Sequence, residues 1–103
     1  MYLARVVGNV VSTQKDPGLI GWKMLMCENL DMRTSPPKGT GSFSVVVDLV
    51  GAGNGEIVII VSGSSARMTD RTKTAPVDTA IVGIVDTLEV NGETIYCKKS
   101  TET

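Results

Sequence analysis

A chain of 103 residues carries ten basic against eleven acidic side chains, 42% apolar residues and no histidine. That makes one small domain, apolar enough for a single core and too apolar for a disordered chain. The near balance of charge gives no field to draw in nucleic acid or an anionic membrane, and the missing histidine excludes histidine bases, triads and metal ligands.

No apolar run reaches the roughly 18 residues a membrane-spanning helix needs. Two cysteines, Cys27 and Cys97, allow one disulfide in principle. Met1–Arg5 runs straight into a strand pattern with no secretory leader, so the expectation is a cytosolic protein with both thiols reduced.

In chain order, residues 2–13 alternate imperfectly and predict a first strand. Ala4, Val6, Gly8 and Val10 are expected on one face, with Gly8 as a bulge or bend. Lys15-Asp16-Pro17-Gly18 predicts a turn, because Pro presets one corner and Gly takes the positive φ of the next. Residues 22–28 predict a second strand, with Trp22, Met24 and Met26 on one face and Leu25 and Cys27 on the other. Residues 29–42, with two prolines and two glycines, are expected to form a loop.

Strands three and four are expected at 43–50 and 57–62, joined by Gly51–Glu56 as an antiparallel hairpin. Gly63–Thr69 predicts a short helical turn capped by Ser64 or Ser65. The polar stretch 70–76 reads as loop. Residues 80–90 predict a fifth strand. Asn91-Gly92 between apolar runs predicts a two-residue type I′ hairpin returning through 93–98.

The fold class expected is all-β: a small OB-like barrel of five to six strands, with one short helical turn and a C-terminal β-hairpin. Residues 1–98 form the single domain and 99–103 a polar tail.

The cluster Gly51-Ala52-Gly53-Asn54-Gly55 invites a nucleotide reading. A dinucleotide fingerprint needs a helix after its glycines, and here the strand-like Ile57–Val61 comes next. A glycine-permitted turn is the better reading. A β-branched side chain at Gly53 is therefore expected to forbid a positive-φ backbone. Gly63-Ser64-Ser65-Ala66-Arg67 reads as a capped turn in preference to an anion site, with Arg67 expected to matter more for assembly than for the barrel. Asp48, Asp78 and Asp86 lack the spacing of a calcium loop and are read as caps or ion-pair partners. Cys27 and Cys97 lack a metal-ligand set and are read as small buried or half-buried residues. The four aromatics, Tyr2, Trp22, Phe43 and Tyr96, do not make a stacking groove for single-stranded nucleic acid.

A barrel strand wetted on its outside should alternate apolar and polar residues. Phe43–Val50 barely does, and Ile57–Val61 and Ala80–Val85 do not. With no amphipathic helix to cover them, another subunit must, so the barrel walls are expected in a homo-oligomeric interface. Periodicity leaves dimer, trimer and pentamer open.

Three stretches also carry a resemblance. Asp48 with Gly51-Ala52-Gly53-x-Gly55-Glu56 is followed by Gly63-Ser64-Ser65-Ala66-Arg67. Asp78-x-Ala80-Ile81-Val82-Gly83-Ile84-Val85-Asp86 comes next, and Val7-Gly8-x-Val10-Val11-x-Thr13-x-Lys15 precedes both. Together they resemble the bacterial microcompartment vertex proteins, the pentameric EutN/CcmL shell-protein family. The resemblance implies an OB-like barrel in a ring of five. Such a ring caps the vertices of a polyhedral shell in the bacterial cytoplasm, beside hexameric shell proteins, with no catalysis and no cofactor. The quoted residues, from Asp48 and Gly51–Glu56 through Gly83 and Asp86, become structural or interface candidates. The alternative is an oligomeric barrel that binds a small ligand or anion at the glycine and serine loops.

Overall fold

The computed structural model describes residues 1–13, 17–19, 21–63 and 78–98. Seven strands lie in them: β1 (Tyr2–Val10), β2 (Lys23–Asp31), β3 (Lys38–Asp48), β4 (Ile57–Ser62), β5 (Thr79–Ile84), β6 (Thr87–Val90) and β7 (Glu93–Cys97). Pro17–Leu19 makes a single 3-10 turn where the sequence places a turn. The short helical turn expected at Gly63–Thr69 falls beyond the described residues after Gly63, as do Lys15, Asp16 and the tail 99–103.

Strands β1-β2-β3-β5-β4 close into a barrel, and β6-β7 form a separate two-stranded sheet. The barrel thus uses five strands, and the C-terminal hairpin stands outside it. Inward-facing Ala4, Val6, Leu25, Val46, Ile60 and Ile81 are each 1% exposed or less and pack into one cluster. Each large apolar side chain removed from water there stabilises the fold by about 1.5–3 kcal/mol.

The first strand departs from simple alternation. Val6 pairs with Cys27, and both point inward; the register then shifts, and Gly8 pairs with Met26. The extra residue, Val7, inverts the facing of the rest of the strand. Gly8 and Val10 therefore lie on the outer face beside Met26 and Met24, not with Ala4 and Val6 as their spacing suggests.

The stretch 29–42 is mostly strand. β2 runs on to Asp31 and β3 starts at Lys38, so only 32–37 connect them, including Pro36 and Pro37. Side chains hold the irregular part of this ladder. Thr40 Oγ1 donates to the Asn29 carbonyl at 3.0 Å, and Glu28 Oε2 accepts the Gly41 N–H at 2.9 Å. A side chain at Gly39 would have to displace the Glu28 carboxyl from its place beside β3.

β3 and β4 do not form the expected hairpin. β5 lies between them, parallel to β3 (Val47 opposite Ala80) and antiparallel to β4 (Val61 opposite Ala80). The segment expected as one strand over 80–90 breaks at Val85-Asp86. There the Val85 N–H donates to the Ile57 carbonyl at 2.8 Å and the chain leaves the barrel. The Asn91-Gly92 turn forms as expected, with φ of 54° and 79°.

Candidate functional site

Asp48 ends β3 and organises the loop after it. Asp48 is 6% exposed. Oδ1 accepts the N–H groups of Val50 (3.0 Å) and Gly51 (3.1 Å), and Oδ2 accepts that of Ala52 (2.9 Å). Capping three successive amides turns the chain out of the ladder at once, which is why β4 cannot fold back on β3. The Gly55 N–H then donates to the Val6 carbonyl (2.8 Å), and the Val6 N–H to the Glu56 carbonyl (3.0 Å). That exchange hands the chain to β1, and Ile57 begins β4 opposite Arg5.

Two glycines of the cluster meet a conformational demand: Gly51 and Gly55 have φ of 80° and 87°. Gly53 does not. Its φ is not positive, and an added Cβ would meet only Glu56 Oε1, at an ordinary 3.6 Å. The backbone penalty expected at Gly53 belongs to Gly51 and Gly55.

Five amides of this loop's Val50–Gly55 run are already taken. Asp48 holds those of Val50, Gly51 and Ala52, Glu56 Oε1 accepts that of Gly53 at 2.6 Å, and Val6 accepts that of Gly55. A phosphate or other anion would have to displace the protein's own acceptors, so the loop is not a ligand cradle.

Outside the loop, Glu56 Oε2 forms an ion pair with Lys98. The Lys98 ammonium, and then the Gly53 N–H, hold the Glu56 carboxyl below its ordinary value. Arg5 donates to the Gly55 carbonyl at 2.7 Å, and its guanidinium carbon lies 6.0 Å from the centre of the Tyr96 ring. Arg5, Tyr96 and Lys98 escape a reading from spacing, because they stand 40 or more positions from the loop. The one available signal is the Asn91-Gly92 turn, whose register brings Cys97 opposite Thr87 and so Lys98 beside Asp86.

The other candidates lie apart. The Gly63 N–H (φ 64°) donates to the Asp78 carbonyl at 2.8 Å, and the Lys98 N–H to the Asp86 carbonyl at 2.7 Å. Gly83 makes room for Ile59, whose Cδ1 would lie 3.1 Å from an added Cβ. Ser64, Ser65, Ala66 and Arg67 lie outside the described residues. Among the described residues, no group of three or more acidic or cysteine side chains is arranged to hold a metal ion.

The two cysteines are both free and differ sharply. Cys27 is fully buried, and burial, with Asp48 as the second cause, pushes its thiol up to about 11. Cys97 is exposed, contrary to the expectation of a buried or half-buried residue. A thiol reagent at neutral pH should label Cys97 alone, with Cys27 reacting only on unfolding, as mass spectrometry of the labelled chain would show. The folded state keeps the Cys27 proton longer than the unfolded chain does. The stability it confers is therefore whole below the ordinary 9.0 and is lost as pH rises toward about 11.

On the barrel's outside, a wall among the described residues stays largely apolar and exposed. Phe43 is 56% exposed and Val45 45%. Their partners across the ladder are Glu28 and Met26, and Met26 in turn faces Gly8 on β1. This wall crosses β1, β2 and β3. The two-faced β4 is better covered than its sequence suggests: Ile57 and Val61 are buried, Val61 packing with Val47 and Ala80 beneath Trp22, Met24, Leu49 and Val82.

The model of the family described as ethanolamine utilisation protein EutN/carboxysome matches residues 1–86. The chain belongs to the EutN/CcmL family. Among its EutN/CcmL relatives is the bacterial microcompartment shell vertex protein GrpN of Rhodospirillum rubrum, 52% identical over 89 residues, which span 86% of this chain and 97% of GrpN. The solved structure of CcmL from Gloeobacter violaceus superposes with a TM-score of 0.89 at 37% identity, over 97% of this chain and all of that one. The solved structure of GrpN, described as a pentameric microcompartment shell protein, gives a TM-score of 0.76 at 51% identity, over 87% of this chain and 99% of its own. The EutN/CcmL match takes in the whole barrel and the Asp48–Glu56 loop and stops where β6 begins.

Proposed function

We propose that this chain is a structural shell protein that closes into a homopentamer and caps the vertices of a bacterial microcompartment within the bacterial cytoplasm. The observation that carries the reading is the pentameric GrpN structure, which shares the barrel and half the sequence. A ring needs a heterologous interface, one patch on each subunit meeting a different patch on the next, and closure after five copies supplies the curvature that flat facets lack. The Phe43–Val45 wall is the apolar surface in this subunit that such an interface would cover.

The protein's work is geometric. The loop that invites a ligand reading is filled by the chain's own acceptors, Asp48 foremost, while Asp78 and Asp86 contribute backbone carbonyls. The neighbours of the ring in the shell are hexameric facet proteins, and this chain is not an enzyme. Electron microscopy of cells lacking the gene, with no paralogue present, tests the role. Shells should be open or elongated, and regular closed polyhedra would overturn it.

A further inference from the structure

The Gly51–Glu56 motif is the most distinctive stretch of the chain, and a ring of barrels by itself assigns it no task. The C-terminal hairpin offers one. Among the described residues β6 and β7 pair only with each other, and no backbone ladder fastens them to the barrel there. A lone two-stranded hairpin is marginal in water, so side chains must hold it in place. Ile95, 7% exposed, supplies one apolar anchor. The polar anchors come from the loop and its bracing strand. Glu56 is fixed first by the Gly53 N–H on Oε1 and presents Oε2 to Lys98. Arg5 is fixed by the Gly55 carbonyl and presents its guanidinium to the Tyr96 ring. Each positioning side chain thus has one contact in the loop and one on the arm.

We infer that the Asp48–Glu56 loop is the socket of the C-terminal hairpin, with Glu56 and Arg5 as positioning residues that hold the arm at a fixed angle to the barrel. The socket belongs to the part of the chain that the family model matches, and the arm lies beyond it. The arm is a separate cooperative unit, able to open while the barrel stays closed. This inference concerns one subunit and does not rest on the vertex role.

Hydrogen–deuterium exchange on the assembled full-length protein tests it. Glu56→Gln keeps an acceptor for Gly53 and loses the ion pair, and Tyr96→Leu removes the ring from Arg5. Each should speed exchange in 87–97 about three- to tenfold, while β1–β5 and the mass of the assembly stay unchanged. Lys98→Met should speed hairpin exchange as much as Glu56→Gln does, and the double variant no further, because both remove the same ion pair. Unchanged exchange in the hairpin of both Glu56→Gln and Tyr96→Leu would overturn the inference. So would an equal rise across the barrel, because loop, arm and barrel would then open as one unit.

Discussion

Asp48→Ala should cost about 3–5 kcal/mol of stability, the largest loss expected from any single side-chain truncation in the loop. The carboxylate accepts three backbone N–H groups, and the residue is 6% exposed. Bonds to a charged acceptor contribute about 1.5–3 kcal/mol each, but water can replace the carboxylate at the part-exposed Val50 and Gly51 amides. The Ala52 amide has no such recourse, since Ala52 is 1% exposed. Leaving that donor orphaned accounts for about 1–3 kcal/mol of the total. Such a loss is a large share of the roughly 5–15 kcal/mol by which a domain is stable. Asp48→Asn should cost less, because one oxygen can still accept from Val50 and Gly51. Urea unfolding at one fixed protein concentration measures both. A loss under about 1 kcal/mol for Asp48→Ala would mean that the loop does not depend on its cap.

Val45→Asp is expected to act on assembly with little effect on the barrel. Val45 is 45% exposed on the outer wall, so a carboxylate there meets water in the isolated subunit, where surface changes usually cost under about 0.5 kcal/mol. In a closed ring the same carboxylate would be buried unpaired at each subunit boundary, at a cost of several kcal/mol per contact, or on the order of a hundredfold or more in affinity. The variant should run as a folded monomer in size-exclusion chromatography, with an unchanged far-ultraviolet circular dichroism spectrum. A variant that still assembles at the native yield would show that the Phe43–Val45 wall faces solvent.

Local chemistry made parts of this fold legible. Asn91-Gly92 announces its own turn, because few other pairs adopt two successive positive φ values. Ile57–Ser62 stands out as a strand by its β-branched run, and its observed bounds match. The partner of β4 was not legible. Adjacent strands joined by a short glycine loop normally pair, and the reason these do not is a tertiary one: Asp48 gathers three amides, and Val6 takes the loop's far end. The facing of Gly8 and Val10 was lost for a similar reason. Gly8 signals a bulge in the sequence, but a bulge is a property of two strands in register, and nothing in β1 alone says that Val7 is the extra residue at the Cys27–Met26 step.

The candidate site divides the same way. The residues of the Asp48–Glu56 loop were identifiable as a group, since glycine spacing and the strand after it tell a turn from a phosphate cradle. Which glycines bear the strain was not, because Gly53 differs from Gly51 and Gly55 only in its φ. The arm contacts of Glu56 and Arg5 depend on a pairing across more than 40 residues, beyond the reach of any local pattern.

Native mass spectrometry of the full-length protein tests the central claim, a ring of five, most directly. One dominant species is expected at five times the 10.9 kDa subunit mass. A stable monomer, or a closed assembly of any other number, would contradict it.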